Sequence, residues 1–149
     1  MVAEQTLLVS GLVILSWVSL SDIRARIISN RLVLITLFIS LLLSLISPFL
    51  LTAHIYSVLC AVALSLALYV LRVMGGGDVK LIVALSLAIP VDALAGTLLL
   101  TTLVGGALSL FYLVKYRVFK LVSVEMGESV PYGVAIAAGF GLTIFNLYI

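Results

Sequence analysis

Six apolar runs organise this chain, at roughly 6–21, 32–47, 55–71, 79–90, 93–114 and 133–149, with short polar or glycine-bearing segments between them. A membrane-spanning helix needs about 20 residues, with a range near 17–25. The second, third and fifth runs meet or nearly meet that length, and the first and last come close once flanking residues are added. The pattern predicts an all-α, polytopic integral membrane protein of about six transmembrane helices, forming one domain over residues 1–149. The fourth run is too short. Val79 to Ile89, at about 1.5 Å per residue, covers roughly 16 Å of a hydrocarbon layer near 30 Å thick. Either its helix continues through Pro90 and Asp92, or it starts below the interface with the preceding glycines inside the membrane envelope. The second is favoured, because glycine backbone at depth is tolerated where it lines a wet cavity.

Composition agrees with a lipid environment. The chain is 64% hydrophobic and 9% charged, with a mean hydropathy of +1.42. The first helix is expected to be retained rather than cleaved, since it carries Glu4 and no Lys or Arg ahead of its apolar run. The single Cys60 excludes an intrachain disulfide and a cysteine-rich zinc module, and in an apolar run it reads as a small core hydrophobe.

The distribution of charge is more informative than its sum. Arg24, Arg26 and Arg31 follow the first run, Arg72 and Lys80 flank the third connection, and Lys115, Arg117 and Lys120 follow the fifth. These are all 8 Lys and Arg of the chain, and a six-span topology puts every one on the same side. The opposite side holds Glu4, His54 and Asp92. The positive-inside rule then predicts both termini outside and the three basic connections in the cytoplasm.

That topology brings two carboxylates to one face: Asp22 at the end of the first helix and Asp78 at the start of the fourth. Asp78 closes the run Gly75-Gly76-Gly77. Glycine forgoes helix propensity, and an ionisable residue beside the bilayer is expensive, so this segment is a functional-site candidate. Two carboxylates in one partly buried site can divide peptide hydrolysis. The ionised one takes a proton from water. The protonated one polarises the scissile carbonyl and later protonates the leaving amine. The glycines suit an extended peptide approaching a backbone without Cβ atoms. A structural role is the alternative: Asp78 as an N-cap, Asp22 paired with Arg24 or Arg26. A small transporter or channel is a rival function, since glycine-broken helices and carboxylates also mark ion pathways.

The remaining features read as structural. His54 is lone and lies on the outside of the membrane, so no metal site is expected there. Gly105-Gly106 and Gly139-Phe140-Gly141 serve close helix packing. Asn30 either caps the second helix or acts near the site. Trp17 and Tyr148 read as packing or interfacial-belt residues. Between Lys115 and Pro131, basic and aromatic residues interleave ahead of Glu125 and Glu128, as in an interfacial anchor. Nothing in the pattern requires a cofactor or a nucleic acid.

Three stretches carry a resemblance: Asp22-Ile23-Arg24-Ala25-Arg26-Ile27-Ile28-Ser29-Asn30, Gly75-Gly76-Gly77-Asp78-Val79-Lys80-Leu81 and Val130-Pro131-Tyr132-Gly133-Val134-Ala135-Ile136. In this order they resemble the signature stretches of the type IV prepilin peptidases, membrane aspartic proteases of the Gly-x-Gly-Asp type. The chain is similar to the small peptidase-only members that serve Tad/Flp-type pili, and to archaeal preflagellin peptidases. The resemblance implies catalysis by Asp22 and Asp78, a motif loop at Gly75, Gly76 and Gly77 with Lys80 and Asn30 near substrate, and no metal. It also implies cleavage of a short basic leader from a prepilin-like protein at the cytoplasmic membrane face. Where the family usually has Ile-Pro-Asn, this chain has Ile28-Ser29-Asn30.

Overall fold

The computed structural model describes residues 2–119 and 131–149, and every regular element among them is helical. Six helices follow in order: α1 (Val2–Ala25), α2 (Asn30–Ile46), α3 (Leu51–Val70), α4 (Gly76–Ser86), α5 (Val91–Phe119) and α6 (Tyr132–Tyr148). Three segments are long and apolar enough to cross a membrane, Glu4–Ala25, Leu51–Val70 and Val91–Lys115, and α2 and α6 are shorter apolar helices. The interfacial segment expected around Lys120, Glu125 and Glu128 lies outside the described residues.

The helices pack with their large apolar side chains turned outward. Val13, Trp17, Leu34, Phe38, Leu59, Leu66, Leu99 and Phe111 are all exposed. The buried stripe of α3 is instead His54, Ser57, Ala61 and Ser65. This inversion suits lipid, where outward leucines need no water-driven burial and small residues let helices approach. Several buried hydroxyls are satisfied within their own helices, as in Thr36 to the Leu32 carbonyl, Ser65 to Ala61 and Thr101 to Thr97. Thr97 also donates across to Thr143 Oγ1 on α6, at 3.2 Å. The expected burial of Cys60 is not found. It sits on the exposed face of α3, because the small and polar residues of that helix take the inward stripe.

The short α4 is the most enclosed element. Its Leu81, Ile82 and Leu85 are buried, as are Ala88 and Ile89 just beyond it, and they join Leu15, Val18, Leu43, Ile136 and Phe140 in one apolar core. The helix does not continue through Pro90. A turn at 87–89 ends it, and α5 begins at Val91. Tyr148 reaches back from α6 to donate its hydroxyl to the Ala88 carbonyl at 2.9 Å, so it braces the end of α4 rather than serving only as a belt residue.

His54, near the start of α3, is fully buried against neighbouring helices. Neither of its ring nitrogens, nor Ser57 Oγ, has a well-formed hydrogen bond among the described residues. The Leu87 backbone at the end of α4 is the polar group beside it.

Two turns deliver the chain to the site, and both use arginine in the left-handed region: Arg26 at φ 52° after α1 and Arg72 at φ 58° after α3. Arg72 closes a helix-terminating motif in which its own N–H bonds the Tyr69 carbonyl and the Val73 N–H bonds that of Leu68, each at 2.9 Å. After Arg26, the Ser21 hydroxyl donates back to the Ile27 carbonyl at 2.9 Å and folds the connection against α1.

Candidate active site

The carboxyl end of α1, the amino ends of α2, α4 and α6, and the latter part of α5 meet at one end of the bundle. There Asp22 and Asp78 line a single cleft of about 670 Å³, together with Arg26, Ile27, Ile28, Val73, Gly75, Gly76, Gly77, Ser109 and Tyr132. The two candidate aspartates and the three motif glycines therefore share one cavity.

Asp22 is almost fully enclosed, with 6% of its surface accessible. Its Oδ2 accepts a hydrogen bond from the Gly133 backbone N–H at 2.7 Å, and the Val134 N–H also donates to the carboxylate. These donors belong to the first turn of α6. The N-cap of that helix is Pro131, which supplies no side-chain cap. The orphan N–H groups of a helix start need acceptors, and here α1 provides one across 111 residues of sequence. The charge of Arg26, one turn further along, also acts on Asp22.

Asp78 occupies the first turn of α4, two residues after its start at Gly76. It is not the N-cap: Gly75 holds that position with extended backbone, φ −74° and ψ 152°. The Asp78 carboxylate instead reaches back to accept from the Gly75 backbone, the return half of a capping box. Asp78 lies ahead of the fourth apolar run and outside the long spans. Burial, and after it the negative charge of Asp22, push its carboxyl up to about 6, with the Gly75 hydrogen bond pulling the other way. Asp78 thus titrates in the field of Asp22.

None of the three glycines of the run has a positive φ, so the run is not there to permit a left-handed turn. Each glycine instead has its own close neighbour. A Cβ on Gly77 would stand 3.3 Å from Ile28 Cβ, one on Gly76 3.6 Å from the Tyr69 ring, and one on Gly75 3.3 Å from Asp78 Oδ2. Gly77 lets α4 seat against the α1–α2 connection, while Gly75 leaves room for the carboxylate.

Lys80 and Asn30 do not line the cleft. Lys80 Nζ donates to Asn30 Oδ1 at 3.0 Å, tying the start of α2 to α4. Asn30 does not cap α2 either. Ser29 does, with extended backbone and its Oγ accepting from the Leu32 N–H at 3.3 Å. Tyr132, Gly133 and Val134 lie in the third stretch that carries the resemblance, but no individual role is expected of them from it, and Ser109 is not singled out by the sequence. For Gly133 and Val134 the available signal was Pro131 itself, a helix start that cannot cap its own N–H groups with a side chain. No group of three or more His, Cys, Asp or Glu that would hold a metal occurs among the described residues.

A comparison with protein families matches residues 9–110 to the type IV leader peptidase family. The match runs from α1 well into α5 and includes Asp22, Asn30, Gly75 to Asp78 and Lys80; Gly133 lies beyond it. No curated protein and no solved structure matches the chain. The match covers more than half of the chain and fits a multi-pass, all-helical membrane protein with two carboxylates in one cleft; this chain belongs to the type IV leader peptidase family.

Proposed function

We propose that this leader peptidase is an aspartic endopeptidase that removes the short basic leader of prepilin-like proteins, with Asp22 and Asp78 as its catalytic pair. The observation that carries the reading is the convergence of the two carboxylates, from helices more than 50 residues apart in sequence, in one cleft beside the glycine run. Asp78 holds a proton to higher pH than an ordinary carboxyl, so it polarises the scissile carbonyl and afterwards protonates the leaving amine. Asp22, held by two backbone N–H donors, takes the proton from the attacking water. An extended substrate segment lies along Gly75 and Gly76, which are exposed at the cleft and carry no Cβ.

The cleft faces the cytoplasm of the cytoplasmic membrane, with both termini outside. Arg24, Arg26, Arg31, Arg72, Lys80 and Lys115 all belong to the end of the bundle that holds the cleft, the asymmetry expected of a cytoplasmic face.

The test is processing of a co-expressed prepilin-like protein in membranes. Asp78→Asn is expected to reduce cleavage by about 100- to 10,000-fold, the range lost with a general acid or base, while the protein still accumulates. Processing that persists in this variant overturns the proposal. Cleavage by the native chain is also expected to decline as pH rises through about 6, where Asp78 gives up its proton. The same group is expected to titrate at lower pH in Asp22→Asn, because the neighbouring charge that raises it is gone. A carboxyl titration followed by infrared difference spectroscopy reads this directly, and an unchanged midpoint removes the coupling from the mechanism.

A further inference from the structure

We propose that Gly133 is a positioning residue of the Asp22 carboxylate: its backbone N–H fixes Oδ2, and its missing side chain is the space that the carboxylate occupies. The inference rests on the two-aspartate reading above and adds to it a third segment, lying outside the residues matched to the family.

The geometry is specific to this glycine. A Cβ built on Gly133 would meet Asp22 Oδ2 at 2.8 Å, Asp22 Cγ at 3.0 Å and Ile28 Cδ1 at 3.1 Å. Two of the three neighbours are thus atoms of the carboxyl group itself, and the third lines the same cleft. Asp22 has no slack with which to give way, since it is buried and its Oδ2 bonds the Gly133 N–H at 2.7 Å. The α6 terminus is itself held from behind. Tyr132 packs on Gly105 of α5, where a Cβ would stand 3.3 Å from the tyrosine ring. The backbone donors are therefore aimed before substrate arrives, and a small displacement of a catalytic group lowers the chemical step more than it weakens binding.

The experiment compares Gly133→Ala with the native chain and with Gly106→Ala, where an added methyl meets nothing within 4 Å. The proteins are purified in detergent and assayed on a purified prepilin-like protein. Gly133→Ala is expected to lower kcat at least tenfold, with KM within about twofold of native and folded yield unchanged; Gly106→Ala is expected to match the native chain. A packing role alone would instead lower folded yield and leave kcat per folded molecule intact. Should Gly133→Ala not fold, the double variant Gly133→Ala/Ile28→Ala relieves the contact with Ile28 but not that with the carboxylate. It is expected to fold and to be at least tenfold slower than Ile28→Ala. Native-like kcat in either folded variant, or loss of folded protein in both, overturns the proposal. Neither outcome touches the aspartic reading, which fails only if Asp22→Asn or Asp78→Asn still cleaves.

Discussion

Asp22→Asn is expected to abolish leader cleavage, by about 100- to 10,000-fold, without destabilising the protein. Asparagine keeps the shape of the side chain and an oxygen that can accept from the Gly133 N–H, so the start of α6 remains capped. What is lost is the capacity to take a proton from water. Asp22→Ala removes both, and is expected to add a loss of about 1 kcal/mol of stability, the usual worth of a helix cap. Cleavage in membranes and resistance of the folded form to denaturing detergent are the two measurements. The pair of variants separates the roles of one residue: a carboxylate serving only as a cap would leave Asp22→Asn active, and a purely catalytic one would leave Asp22→Ala as stable as Asp22→Asn.

Gly139→Ala is expected to be the most damaging small substitution for the fold. A Cβ at this position collides with Thr101 Oγ1 and comes within 2.8 Å of Thr101 Cα and 2.9 Å of its backbone nitrogen. Most of those atoms are main chain of α5, so no rotamer change relieves the clash, and α5 and α6 must move apart. The loss should reach about 3 kcal/mol, the upper end of over-packing penalties. It should also disturb the Thr97–Thr143 hydrogen bond that spans the same interface. Gly106→Ala on the opposing helix is the counterpart. With open space around it, it should gain stability by about 0.5–1 kcal/mol from helix propensity. A denaturing-detergent titration reads both signs, and equal behaviour of the two variants would refute the packing argument.

These outcomes depend on features that the sequence reveals unevenly. The six helices, the shortness of the fourth and its arrest before Pro90 follow from run length and hydropathy, because the bilayer imposes a length on every span. The meeting of Asp22 and Asp78 follows from counting crossings. The inward faces are harder. A helix that is apolar all round carries no strong amphipathic signal, so the reading of Cys60 as a core residue fails, while His54, six residues earlier on α3, is buried. The usable cue was the reverse of the soluble rule: His54, Ser57, Ala61 and Ser65 form the small and polar stripe, and in lipid that stripe points inward. Ser29 and Asn30 are both good caps, and only backbone angles decide between them. Gly133 is legible as part of the third resembling stretch, but its role is hidden for a different reason. It acts through a backbone N–H that nearly every residue type possesses, and through a side chain it lacks.

The tie between Asp22 and Gly133 also has a temporal side. One partner lies near the beginning of the chain and the other near its end, 111 positions apart, so a ribosome synthesising this peptidase finishes the first aspartate's helix long before the donors that hold its carboxylate exist. Asp78 emerges in between, and the cleft still lacks its Tyr132 wall. On the two-aspartate reading proposed above, cleavage therefore waits for insertion of α6, and a nascent chain stalled before it holds both acids without the Gly133 donor that positions Asp22.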